Sequence, residues 1–85
     1  MTNPTRYKLS NHIVLRIREV FDTKNQLVRG LEPTAAVILQ HIETHPKSVK
    51  EIQATTGYPS DDIAEFLETA VSYSVVEIDD KNEQT

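Results

Sequence analysis

Ser48-Val49-Lys50-Glu51-Ile52, followed by Gly57-Tyr58-Pro59-Ser60-Asp61-Asp62-Ile63, is the stretch that decides the fold. Ser48 with Glu51 three residues on is a capping box, in which each side chain satisfies an orphan N–H at a helix start. Val49 and Ile52 then face inward, and Gly57 after Thr56 is a C-terminal stop. A new helix opens at Ser60, with Asp61 and Asp62 in its first turn, where the helix dipole favours negative charge. Ile63, Phe66, Leu67 and Ala70 form its buried stripe. Upstream, Glu32-Pro33-Thr34 starts an earlier helix, with Pro33 at a position where its missing N–H costs nothing. Ala35, Ile38, Leu39 and Ile42 stand at i, i+3, i+4 and i+7 on it, and Pro46 bounds it. A helix, a short capped helix, a tight turn and a longer helix make helix-turn-helix geometry.

The N-terminal third reads as strands. Ile13, Leu15, Ile17 and Phe21 alternate with Val14, Arg16, Arg18 and Val20, which predicts one strand with the first set on the core and the second set facing out. Asp22-Thr23-Lys24-Asn25 is rich in turn formers and joins this strand to a return strand, Gln26 to Leu31. Leu27 and Leu31 share a face there, Val28 takes the other, and Gly30 weakens the strand near its end. Tyr7-Lys8-Leu9 offers a short third strand before a turn at Ser10-Asn11, and Val75 to Ile78 is a short extended finish. The predicted class is α+β, winged helix-turn-helix-like: an N-terminal antiparallel hairpin or three-stranded sheet packed on three helices. Residues 1–6, with Pro4, read as a flexible arm, 7–78 as a single winged-helix-like domain, and 79–85, which lack any apolar residue, as a disordered acidic tail.

Eighty-five residues allow one modest core and no separate cofactor domain. The absence of Cys excludes disulfides, thiolate metal sites and cysteine nucleophiles. Gly30 and Gly57 are the only glycines, so there is no Gly-rich phosphate loop. No apolar run approaches the ~18 residues of a membrane span, and Met1 to Arg6 lacks the apolar core of a secretory signal. The expectation is a cytoplasmic, non-catalytic domain with no cofactor and no membrane partner. His41 and His45 stand four apart, as metal ligands sometimes do, but no third-ligand motif accompanies them, and a His near a helix end also suits the dipole. His12 reads as a structural strand residue, and Asp61 with Asp62 as dipole partners rather than an acid–base pair.

Charge decides between the binding roles that remain. Residues 1–31 carry six basic residues against two acidic, and 32–85 carry three against eleven, so the chain has a basic and an acidic half. A DNA-reading helix needs Arg, Lys, Asn or Gln reaching outward, yet Ser60 to Ser74 has none and carries Asp61, Asp62, Glu65 and Glu68. That face repels phosphate, and nucleic acid is not the expected partner. A winged-helix transcriptional regulator, touching DNA through its basic hairpin, is the alternative reading. A third is a scaffold in which an exposed strand edge pairs with itself. The favoured reading uses the strand Gln26 to Leu31 beside the flank of the last helix that carries Phe66, Thr69 and Tyr73. An extended peptide can add itself there as a strand, with Arg29 available for a carboxylate. Arg16 and Arg18 either receive an acidic partner or solvate the open side of the sheet.

The order Leu9-Ser10, Val14-Leu15-Arg16, Leu31-Glu32-Pro33-Thr34-Ala35-Ala36 with Ile38-Leu39, Ser48-Val49-Lys50-Glu51-Ile52, Asp62-Ile63 with Phe66-Leu67, and Val75-Val76 resembles the PqqD-like proteins. These form the pyrroloquinoline quinone synthesis protein D family, part of the wider set of recognition elements for precursors of ribosomally made peptide natural products. The resemblance covers about residues 7–78, and Leu31 to Leu39 is its most specific piece, although Glu32 stands where the family has Asn. It implies a domain that holds the leader segment of a precursor peptide as an added strand. It also implies a maturation enzyme as second partner: a radical-SAM protein, or the leader peptidase and cyclase of lasso-peptide systems. Carried over residue by residue, the implied leader site is Gln26, Leu27, Val28 and Arg29 on the strand and Phe66, Ala70 and Tyr73 on the helix.

Overall fold

A computed structural model describes residues 5–79, and the expectations for residues 1–4 and 80–85 lie outside them. The chain runs β1 (Arg6–Leu9), β2 (Ile13–Leu15), β3 (Glu19–Asp22), β4 (Leu27–Gly30), α1 (Pro33–Glu43), β5 (Lys47–Ser48), α2 (Val49–Thr56), α3 (Ser60–Ser72) and β6 (Val76–Asp79). The α+β class is therefore as read from the sequence: three helices with two small antiparallel sheets. No helix among the described residues is long and apolar enough to cross a membrane.

The helix boundaries follow the chemistry that announced them. Pro33 lies in the first turn of α1, and its N-cap Glu32 makes no side-chain capping bond. At α2 both halves of the capping box form: the Glu51 N–H donates to Ser48 Oγ at 3.2 Å, and the Ser48 N–H donates to Glu51 Oε1 at 2.9 Å. The same contact, with the backbone N–H of Ser48 as its largest cause, holds the Glu51 carboxyl below its ordinary pKa. Gly57 closes α2 in the left-handed region at φ 80°, where a Cβ would be strained. α3 ends in a Schellman arrangement: Ser74 takes φ 63°, its N–H donates to the Val71 carbonyl, and the Val75 N–H donates to the Ala70 carbonyl.

The strands differ from the sequence reading in two ways. First, β1 does not join the hairpin that follows it. It lies between β5 and β6, with Tyr7 opposite Lys47 and Ile78, so the N-terminal strand is tied to the capping segment of α2 and to the C-terminal strand. The pairing also reaches Arg6 and Asp79, one residue beyond the composition-based boundary at each end. Second, the predicted single strand from Ile13 to Phe21 is two strands. The Arg16 N–H donates to the Glu19 carbonyl at 2.8 Å, which closes a two-residue turn at Ile17-Arg18. Folding back there pairs Leu15 with Val20 and Val14 with Phe21, so inward positions change from odd numbers to even ones. Val20 is therefore in the core at 2% exposure while Ile17, assigned to the core face, stands at the hairpin tip at 83% exposure. Phe21 turns to the outer face with Val14 and Val28.

The core lies between the helices and the inner faces of both sheets. Ile38, Leu39 and Ile42 of α1, Ile52 of α2 and Ile63, Leu67 and Ala70 of α3 meet Ile13, Val20, Val75 and Val76. On α1 the buried alanine is Ala36, with the predicted Ala35 half-buried. This packing leaves the second sheet, ordered β2-β3-β4, with β4 as an edge.

Candidate functional site

The backbone of β4 defines the site. Its register with β3 sets Gly30 opposite Glu19, Arg29 opposite Val20, Val28 opposite Phe21 and Leu27 opposite Asp22. The Leu31 N–H donates to the Arg18 carbonyl at 2.8 Å, just beyond the strand end. Bonded and non-bonded pairs alternate in an antiparallel ladder, so Arg29 and Leu27 direct their N–H and C=O groups toward β3. Val28 and Gly30 direct theirs away from it, and no strand meets that side among the described residues. The result is a short row of backbone donors and acceptors with only solvent to satisfy them.

Side chains flank this edge on both faces. Leu27 and Arg29 share the inner face with buried Val20, and Val28 is on the outer face with Phe21. Leu27 is 48% exposed, Val28 58% and Tyr73 57%, an apolar fringe without a covering element. The Arg29 guanidinium sits 4.9 Å from the centroid of the Tyr73 ring, so a cation–π contact links β4 to the C-terminal end of α3. The Schellman ending fixes Tyr73 at that place, because it turns the chain sharply into β6 after the ring.

The turn that launches β4 is tied down by Asp22. Its carboxylate accepts from the Lys24 N–H at 3.0 Å, the Asn25 N–H at 3.0 Å and Asn25 Nδ2 at 2.9 Å. The Asn25 N–H, then its side-chain amide, lower the Asp22 pKa against the opposing effect of burial, and His12 adds a smaller push in the same direction. His12 Nε2 lies 3.8 Å from Asp22 Oδ1, beyond hydrogen-bond distance, and is buried without a hydrogen-bond partner. His12 thus lies directly behind the turn.

The sequence-derived site residues separate into two groups. Leu27, Val28, Arg29 and Tyr73 come together at the edge as described. Gln26 instead belongs to the turn, at φ 57°, and the strand starts one residue later. Ala70 is taken up by the core, and Phe66 is half-buried against it, so neither stands open as Tyr73 does. Arg16 and Arg18 do not ride on one strand face: they flank Ile17 at the hairpin tip. A recess of about 740 Å³ lies there, bounded by the tip and by Gln40 and Glu43 of α1. It is open and rimmed by charges of both signs, with Leu15 and Ile17 in its wall. Along α3, Asp61, Asp62, Glu65 and Glu68 are all exposed, which keeps the helix face that a DNA reader would use acidic. Gly30 on the edge and Phe21 beside it on the central strand are the residues the sequence reading left out of the site. The signal for both was the parity of the hairpin, hidden by the unannounced turn at Ile17-Arg18. Among the described residues no group of three or more His, Asp or Glu side chains gathers as a metal site. No known protein family, curated protein or solved structure matches the chain.

Proposed function

We propose that this domain is a non-catalytic cytoplasmic module that captures an extended peptide by strand addition to β4. The peptide is the leader segment of a ribosomally made precursor, which the module delivers to a maturation enzyme: a radical-SAM enzyme, or a leader peptidase with its cyclase. The observation that carries this reading is the open side of β4, where Val28 and Gly30 face outward beside exposed Leu27, Val28 and Tyr73. Main-chain bonds to such an edge supply affinity, and flanking side chains supply selection. Arg29 on the inner face suits a carboxylate in the guest. The acidic exposed face of α3 favours this over the regulator reading, because phosphate contacts would lack cations there.

Calorimetric titration with peptides encoded by short reading frames beside the gene tests the proposal. Leu27→Glu and Val28→Asp should each abolish binding with the fold retained, since both side chains are about half exposed already. Unchanged binding in both variants would refute the edge as the docking site. Tight binding of promoter DNA with a steep loss on added salt would instead support the regulator reading.

A further inference from the structure

The outer face of the second sheet contains a gap at the open edge. Val14, Phe21 and Val28 form an apolar row across β2, β3 and β4, each opposite the next. One step along β4 the row stops, because Gly30 has no side chain to set beside Glu19. A recess of about 240 Å³ lies beside that place on the same face, lined by Arg16, Glu19, Phe21 and Val28. A Cβ built on Gly30 meets nothing within 4 Å, so the space over it is open. Gly30 also keeps a negative φ, so the glycine is not required by its backbone conformation. What the missing side chain supplies is room.

Resting on the proposed strand addition, we infer that this recess is a specificity subsite for one aromatic side chain of the guest, the one directly opposite Gly30. Gly30 turns its N–H and C=O toward the guest, which fixes a guest residue across from it. Residues directly opposite share a face, so that guest side chain lies on the outer surface, over the glycine. An aromatic ring laid across a strand glycine covers its bare backbone, an arrangement used to rescue glycines at sheet edges. The walls match a ring with a polar end: Phe21 and Val28 give an apolar floor, and Arg16 and Glu19 give a charged rim. Arg16 can also stack on the ring face. The subsite is on the opposite side of the strand from Leu27, Arg29 and Tyr73, so the guest would be read on both of its faces.

The test uses the whole chain and a randomised linear peptide library displayed on phage. Selection on the wild-type chain should enrich Phe, Tyr or Trp at one fixed position. Replacing that aromatic by Ala in the resynthesised peptide should weaken binding about tenfold by fluorescence anisotropy. Gly30→Leu sets a side chain in the open space beside the recess, where the guest ring would lie, and its fold is checked by circular dichroism. It should weaken the aromatic peptide by a similar factor and show little further loss with the Ala peptide. Val28→Pro removes an outward N–H and should abolish both peptides. If Gly30→Leu binds the aromatic peptide as the wild type does while Val28→Pro does not, the subsite is refuted and strand addition stands. If Val28→Pro binds like the wild type, strand addition fails and the subsite with it. Absence of any enriched peptide on the wild-type chain counts against both.

Discussion

Proline at Val28 and proline at Arg29, one residue apart, should have opposite consequences for the fold. The Val28 N–H faces away from β3, and its side chain is 58% exposed, so Val28→Pro removes no bond within the sheet. Its cost should be within about 1 kcal/mol. The Arg29 N–H faces Val20, which is 2% exposed, so Arg29→Pro leaves a buried carbonyl unpaired. That omission costs roughly 1–3 kcal/mol, and the lost Arg29–Tyr73 contact adds about 0.5–1 kcal/mol. The sum, roughly 1.5–4 kcal/mol, lowers the melting temperature of a domain this size by about 6–32 °C. Urea unfolding followed by circular dichroism reads the difference. Amide hydrogen exchange on the wild type reads its cause: Val28 and Gly30 should exchange fast, and Leu27, Arg29 and Leu31 slowly. Equal destabilisation by the two prolines, or equal protection of Val28 and Arg29, would refute the open edge.

Three further outcomes follow from positions the structure assigns. Ile17→Asn should change stability by less than about 0.5 kcal/mol in urea unfolding, because the side chain is solvent-exposed, whereas Val20→Ala should cost about 1–3 kcal/mol; the reverse order would restore the single-strand reading. Ser74→Gly should stabilise by about 1 kcal/mol in the same assay, since a left-handed φ is strained for serine and free for glycine. Acid should loosen the turn before β4: the Asp22 pKa is lowered in the folded state, so the stabilisation is present above the ordinary aspartate range and is lost as pH falls through the lowered value. Lys24 and Asn25 amide resonances report it, and Asp22→Asn should remove that pH dependence.

The helices were legible because several of their ends are marked by local chemistry. Pro33, the Ser48–Glu51 box and Gly57 act within a few residues of themselves, so no tertiary knowledge is needed to read them. The return strand to Gly30 was legible for the same reason, with Asp22 to Asn25 announcing the turn. The turn at Ile17-Arg18 carries no such mark. Two-residue hairpin loops favour positive φ and hence Gly, Asn or Asp, but Ile17 and Arg18 both keep negative φ and lie in an unbroken alternating pattern. One unseen reversal inverted the inward assignments of the strand that follows it, exchanged Ile17 for Val20, and hid the outer row of Val14, Phe21 and Val28. The placement of β1 beside β5 and β6 was hidden for another reason: it depends on pairing between segments far apart in the chain. Of the candidate site, the strand around Arg29 and the Tyr73 flank were readable from alternation and helical spacing, Leu27 and Val28 entered with the family resemblance, and the open space over Gly30 required the register.

Edge strands expose unpaired backbone and invite aggregation, so proteins shorten, charge or cover them. The other edges here follow that rule. β5 has two residues, one of them Lys47. β6 carries Glu77 and Asp79. β2 has three residues, and the Ile13 N–H is already used by the Ser10 carbonyl at 3.1 Å. β4 has none of these protections: it has four exposed residues, two of them apolar side chains, and its single charge is drawn aside to Tyr73. Folding does not account for this exception, because a charged residue at Val28 would lose little burial and would guard the edge. An edge that guards itself cannot accept a guest strand, and one that accepts a guest must stay bare until the guest arrives. On the proposed strand addition the same trade would account for Gly30, which weakens β4 in the free domain yet leaves open space on the outer face for a guest side chain.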